Sequence, residues 1–325
     1  MRPDRIRPKG VFVISVSDVG EFGVIARVVA RLRNGREVLL GPGDDAAVVA
    51  VPDGRVVAST DLLVEGRHFR RDWSSAYDVG RKAAAQNLAD IAAMGANPVG
   101  LLVGLACPDD LPVEWLEELA DGLRDECDLV GAAVVGGDLS AGDSVLVAVT
   151  ALGDLAGRPP VTRAGARPGD LVVVAGALGL AAAGLDLLLA GHGEDPLADS
   201  HRRPTVAYQD ALRLASEYAA TAMIDVSDGL VADLGHVAAA SGVRIELTAA
   251  DLPVDPRVRA AAQLLGTDPR SWVAGGGDDH AFAATVPPDS SSPYPVVGRV
   301  VEGEPGVVFA DAPPPGTAGH QHFRS

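Results

Sequence analysis

The stretch DVGRKAAAQNLADIAAM, Asp78 to Met94, reads as a helix with an unusual distribution of polar side chains. Lys82, Gln86 and Asp90 recur at i, i+4 and i+8, so they lie within about 80° of one another around the axis. Ala84, Leu88 and Ile91 take the opposite arc and face a core. A solvated polar face would carry several long charged residues. Here Ala83, Ala85 and Ala92 crowd the flanks, and the pattern predicts Asp90 in a partly buried cleft. Asp78 is placed to cap the helix N-terminus.

Working outward, strand and helix signals alternate on both sides of this helix. Val56 to Ser59 reads as a short strand ending at Thr60-Asp61, and Val99 to Cys107 as a buried strand. Phe22 to Arg33 and Val113 to Glu126 are amphipathic helices, while Ala132 to Val135 and Val145 to Leu152 are strands. Gly153 to Gly169 is rich in Pro and Gly, as domain linkers are. Beyond it come the Leu171–Val174 strand and a helix from Leu180 to Ala190, then a weakly patterned segment from His192 to Thr205. Helices are expected at Tyr208–Ala220 and Leu230–Ala240, and strands at Met223–Val226, Val243–Leu247, Ala281–Val286 and Val296–Val301. From Ala312 onward the chain is too rich in Pro and Gly for a regular element. The fold class is α/β (α+β) in two domains, 1–154 and 155–325.

Composition narrows the function. Among 325 residues, 44 Asp and Glu outweigh 27 Lys and Arg, a net charge of −17. Such a chain is a poor partner for nucleic acid, whose backbone is bound by clustered Lys and Arg. The 47% hydrophobic content suffices for sizeable cores. Cys107 and Cys127 have neither CxxC spacing nor a secretory context, which fits reduced thiols in a cytoplasmic protein. The apolar run Leu171 to Gly191 is about the length of a membrane span. Gly176 and Gly179 divide it into strand and helix, so no membrane association is expected.

Aspartates gather at seven places: GPGDDAAV (41–48), STDLLVEGRHF (59–69), NLAD (87–90), GGDLS (136–140), RPGD (167–170), IDVSDGL (224–230) and GGGDD (275–279). A lone Gly-Asp is ordinarily a turn. Repeated clusters beside strand ends are another matter, because gathered carboxylates repel and need cations to hold them. Hard divalent ions take oxygen ligands and keep substrate phosphates as co-ligands. GGDLS and IDVSDGL pair glycines that let backbone approach phosphate with a carboxylate that reaches metal. The chain has no GxxxxGK[ST] loop, no GxSxG elbow and no HExxH. Phosphates must then be held by metal bridges together with Lys82 and Arg163.

In this order, STDLLVEGRHF, KAAAQNLADIAAMGANP, GGD, TRAGARPGD, MIDVSDGLVADL and GGGDDHAF resemble the thiamine-monophosphate kinase family. That family sits in a superfamily with aminoimidazole ribonucleotide synthetase. The resemblance runs from Gly20 to Phe323. It implies a homodimer whose N-terminal domains form a barrel across the dimer, with ATP and thiamine monophosphate meeting between the domains alongside several Mg2+ ions. The implied metal ligands are Asp45, Ser59, Thr60, Asp61, Asp90, Asp138, Asp225 and Asp228. The implied ATP contacts are Gly137, Asp138, Arg163 and Ser227, and the implied substrate contacts are His68, Asp278 and His320. Two departures from the family pattern matter: GGEDYEL becomes GGDDHAF, so Asp278 replaces a longer Glu and His280 a Tyr, and the aromatic of the terminal motif is His320. Selenophosphate synthetase is disfavoured by the lack of an N-terminal Cys beside a Lys, and the hydrogenase-maturation relative by the lack of a C-terminal Cys. Another ATP-dependent enzyme of the superfamily and a non-catalytic Mg-nucleotide sensor are the remaining alternatives.

Overall fold

The computed structural model describes residues 14–42 and 46–311. Asp45, His320 and the tail from Ala312 lie outside the described residues. The first half contains α1 (Val16–Val19), α2 (Glu21–Val29), β1 (Val38–Leu40), β2 (Val48–Val49), β3 (Val57–Val64) and α3 (Ala76–Ala93). It continues with β4 (Asn97–Cys107), α4 (Val113–Asp128), β5 (Ala133–Ala141) and β6 (Leu146–Asp154). The second half begins with β7 (Leu171–Ala175), α5 (Leu180–Leu189), α6 (Ala198–Arg202), α7 (Tyr208–Ser216), β8 (Ala222–Val226) and α8 (Leu230–Ser241). Then follow β9 (Arg244–Leu247), α9 (Pro256–Leu265), α10 (Pro269–Gly275), β10 (Ala281–Val286), β11 (Val296–Val301) and β12 (Gly306–Phe309).

Two sheets organise the molecule. One is four-stranded, ordered β3-β6-β4-β5, and antiparallel except for the β4–β5 pair. The other is six-stranded, ordered β12-β9-β11-β7-β10-β8, with β12 parallel to β9 and every other pair antiparallel. In the six-stranded sheet side chains alternate between two cores, as a period of 2 requires. Val173, Ala175, Phe282 and Ala284 join the core around α3 and α4. Val172, Val174, Ala281 and Ala283 join the core under α5, α8, α9 and α10. A sheet covered on both faces reads as a continuous apolar run, which is why LVVVA and AFAATV look alike from either side. The four-stranded sheet differs. Val147, Val149 and Ala151 of β6 are buried, but on the other face Leu62 is 52% and Leu102 39% exposed.

Helix α3 lies between the two sheets, against β3, β4 and β6 on one side and β8 and α7 on the other. Its burial is therefore nearly complete around the whole circumference, not confined to the arc of Ala84, Leu88 and Ile91. The alanines serve this packing, and glycines serve it further. A Cβ on Gly80 would fall 2.2 Å from the Leu119 carbonyl, and one on Gly122 would fall 2.2 Å from the Tyr77 carbonyl. Those two glycines let α3 and α4 cross with backbones touching.

Several sequence expectations need correction. The N-cap of α3 is Ser75, and Asp78 is the N3 partner in a reciprocal capping box: Ser75 Oγ accepts from the Asp78 N–H while Asp78 accepts from the Ser75 N–H. Strand β3 runs through Thr60-Asp61 to Val64 instead of ending there. GGDLS lies inside β5 and not after it. The weakly patterned 192–205 segment contains α6.

Candidate active site

A cleft of about 950 Å3 opens between the two sheets. Its floor is the polar edge of α3, where Gln86 and Asp90 line it, and its walls come from β3, the loop after it, α5, the end of β8 and the loop before β10. Five residues of β3 line the cleft: Val57, Ala58, Ser59, Asp61 and Leu62. Ser59 and Asp61 share the face of buried Leu63, and both line the cleft. Ser59 donates its hydroxyl to Asp90 at 2.5 Å, and the Asp61 N–H donates to Asn87 Oδ1 at 3.1 Å. Asp225 at the end of β8 comes in from the opposite sheet, with Ser227 and Asp228 beside it.

These carboxylates load one another. Burial, then the charges of Asp225 and Asp61, push Asp90 up to about 7 against the opposing hydrogen bond from Ser59. Burial and Asp225 likewise push Asp233 up to about 7, although it accepts the N–H groups of Asp228 and Gly229. Asp225 is held by His280 Nδ1 at 3.1 Å; burial opposes protonation of this imidazole, but Asp225 outweighs it and raises its pKa. The donor set is hard oxygen, suited to Mg2+. Among the described residues no three His, Cys, Asp or Glu converge on one point. A cation there would relieve the repulsion that raises Asp90, so the residues fit the ion.

The wall from Gly277 to His280 is made by close backbone approach. A Cβ on Gly277 would fall 2.4 Å from the Ser227 carbonyl. The N–H groups of Asp278 and His280 donate to the carbonyls of Ser227 and Val226 at 2.8 and 2.9 Å. Asp278 and His280 take φ of 66° and 50°, the left-handed region that non-glycine residues rarely occupy. Such strain persists where surrounding structure over-determines it, often at binding sites. Asp279 between them turns away and accepts the N–H groups of Gly179 and Ala181 at the start of α5.

Ser59, Asp61, His68, Asp90, Arg163, Asp225, Ser227, Asp228 and Asp278 all line this cleft. Four expected residues do not. Thr60 points from the other face of β3, where its hydroxyl donates to the Val149 carbonyl at 2.9 Å and accepts from Thr150 at 3.1 Å. Gly137 and Asp138 sit on β5, at the far edge of the four-stranded sheet from β3. Lys82 stands behind the cleft wall, 1% exposed. Reasoning from sequence passed over Arg67, Arg70, Trp73 and His201, which also line the cleft. Arg67 and Arg70 flank the His68-Phe69 pair, and two arginines beside a motif histidine in so acidic a chain were the available signal. Arg70 stacks over the Trp73 ring at 4.2 Å while bonded to Asp72.

Comparison with known proteins agrees with this architecture. The family model described as AIR synthase related protein, N-terminal domain, matches residues 43–155, and that for the AIR synthase related C-terminal domain matches 167–276. Fold and cleft thus define a two-domain protein of the AIR synthase-related class. The chain is 47% identical over 313 residues to thiamine-monophosphate kinase of Mycobacterium tuberculosis (strain H37Rv), covering 95% of this chain and 93% of that one. It belongs to the thiamine-monophosphate kinase family. Among solved structures, the enzyme from Stenotrophomonas maltophilia K279a superposes with a TM-score of 0.76 at 35% identity, covering 88% of this chain and 94% of that chain. AaThiL complexed with AMPPCP and TMP superposes with a TM-score of 0.77 at 33% identity, covering 96% of this chain and all of that one.

Proposed function

We propose that this protein transfers the γ-phosphoryl group of ATP to the phosphate of thiamine monophosphate, giving ADP and thiamine diphosphate. The observation that carries this reading is the match along 96% of the chain to AaThiL holding an ATP analogue together with TMP. The cleft, lined by oxygen ligands together with Arg67, His68 and Asp278, supports it.

The transfer is direct and in line: the acceptor phosphate oxygen bonds to the γ-phosphorus as the bridging oxygen leaves with ADP. The acceptor is already an anion, so no strong general base is required. What the chain supplies is positioning and charge control. Arg163 and Ser227 face the nucleotide, and His68 and Asp278 face the acceptor. Asp61, Asp90, Asp225 and Asp228, with Ser59, would hold Mg2+, which would supply neutralisation of the phosphate charge there. The buried floor of α3 excludes water from beneath the reacting groups, limiting hydrolysis of ATP.

The open face of the four-stranded sheet, with Leu62 and Leu102 exposed, suits coverage by a second copy of the chain as half of a barrel. Gly137 and Asp138 on the outer strand of that sheet would then meet nucleotide and metal in the assembled dimer. The domain division falls at 154/155, after β6. No described helix is long and apolar enough to cross a membrane, and the two buried free cysteines suit the cytoplasm. Incubation of purified protein with Mg-ATP and thiamine monophosphate tests the reading. Stoichiometric formation of ADP and thiamine diphosphate is expected, and failure to convert this acceptor overturns it.

A further inference from the structure

Lys82 is among the largest fully buried side chains of the described residues. A buried ammonium must spend its donors within the protein or lose its charge. Lys82 has three N–H donors, and three acceptors meet them: Asp278 Oδ2 at 2.9 Å, the His68 carbonyl at 3.2 Å and the His201 carbonyl at 3.2 Å. None is left for a phosphate oxygen. The three acceptors come from three segments: the loop after β3, helix α6, and the strained loop before β10. Each of these residues lines the cleft, and Lys82 does not.

We infer that Lys82 is a positioning residue for the acceptor, pinning His68, His201 and Asp278 into one wall from behind, and not a ligand of the nucleotide phosphates. This rests on the kinase reading above. The pin crosses the interdomain boundary, because Lys82 and His68 belong to the first half and His201 and Asp278 to the second. It also fixes the charge of the wall. Burial works against ionisation of Asp278, but Lys82, followed by His201 and His280, outweighs it and holds the carboxyl well below the usual range. The carboxylate keeps a free side toward the cleft, the side chain being 41% exposed. Burial first and Lys82 second push His201 down to about 3, so it stays neutral beside the pair. A carboxylate held ionised in this way suits an acceptor with a cationic or hydrogen-donating organic part.

Calorimetry on Lys82→Met separates the roles. Expected is a loss of about tenfold or more in affinity for thiamine monophosphate, measured with Mg-AMPPCP present, because Asp278 is left without its counter-charge. Affinity for Mg-AMPPCP alone stays within about twofold of wild type. Weaker Mg-AMPPCP binding with unchanged acceptor binding overturns the inference in favour of phosphate ligation. Unchanged affinity for both, with only a lowered Tm, overturns it in favour of a merely structural lysine. Should Lys82→Met fail to fold, Lys82→Gln keeps an N–H donor for the carbonyls without a charge for Asp278, and the same two affinities decide the matter. A wild-type protein that binds no thiamine monophosphate would sink the kinase reading and this inference together. Equal acceptor binding by wild type and variant sinks this inference alone.

Discussion

In the cleft wall Asp278 meets a buried lysine at 2.9 Å. Asp90 on α3 and Asp225 on β8 also line the cleft, and among the described residues neither has a hydrogen bond or ion pair to lysine or arginine. Asp278 carries its own counter-charge and stays ionised. Asp90 has been pushed to about 7 for want of one. The same residue type thus does two jobs in one cavity, separated by whether the fold provides a cation or leaves the place for one from solution. Burial disfavours ionisation of both, and a neighbouring cation reverses the direction only at Asp278.

The comparison breaks most visibly if the uncompensated carboxylates are removed. Asp90→Ala or Asp225→Ala removes an oxygen ligand while the phosphate charges remain, and kcat should fall by roughly three orders of magnitude or more. Excess Mg2+ should not restore it fully. Steady-state kinetics on both variants, with melting curves to confirm folding, provide the check. Near-normal turnover would mean these carboxylates are only mutually repelling neighbours.

Calorimetric titration of ATP in excess EDTA and in millimolar Mg2+ sharpens the contrast without mutation. Asp61, Asp90, Asp225 and Asp228 repel bare phosphates, and the cleft's cations Arg67, Arg70 and Arg163 include one, Arg70, already bonded to Asp72. With the ion the local field inverts. ATP affinity should drop about a hundredfold in EDTA. Equal affinity in the two conditions would place the nucleotide away from the aspartates.

How much of this was legible in the chain depended on distance along it. The 3.6-residue period of α3 put Asp90 in a cleft, and the glycine-aspartate turns marked the wall at Gly277 and the end of β8. Strand parity was equally available, yet treating Ser59, Thr60 and Asp61 as one group hid the fact that adjacent strand residues face opposite ways. Helices α9 and α10 were passed over although each begins with an Asp N-cap and a Pro at the first turn, as Asp255-Pro256 and Asp268-Pro269. The partners of Lys82 could not be read: they lie 14, 119 and 196 positions away, and only the tertiary fold brings them together. The sandwiching of α3 was likewise hidden, since a helix covered on all sides by different elements shows no single apolar stripe.

The gentlest probe is pH, where Asp90 and Asp278 should give slopes of opposite sign. For Asp90 the folded value, about 7, lies above the unfolded value of 3.8. Between those values the folded protein keeps a proton that the unfolded chain releases, so stability falls as pH rises through the window and is flat above it. Asp233 and Asp279, also raised to about 7 by burial, add to the same slope. Asp278 behaves conversely. Its folded value is depressed, so its contribution is present above the unfolded value and is lost as the solution is acidified below about pH 4. In EDTA the Tm should therefore be several degrees lower at pH 8 than at pH 5.5. Added Mg2+ should remove the part that belongs to Asp90, because an ion favours its ionised form. Asp90→Asn should reduce the neutral slope by the share that belongs to Asp90 and leave the acid limb, while Asp278→Asn should reduce the acid limb and leave the neutral one. Identical profiles for the two variants would show that Asp90 and Asp278 are not electrostatically distinct, and the division of labour between Lys82 and an external cation would fail.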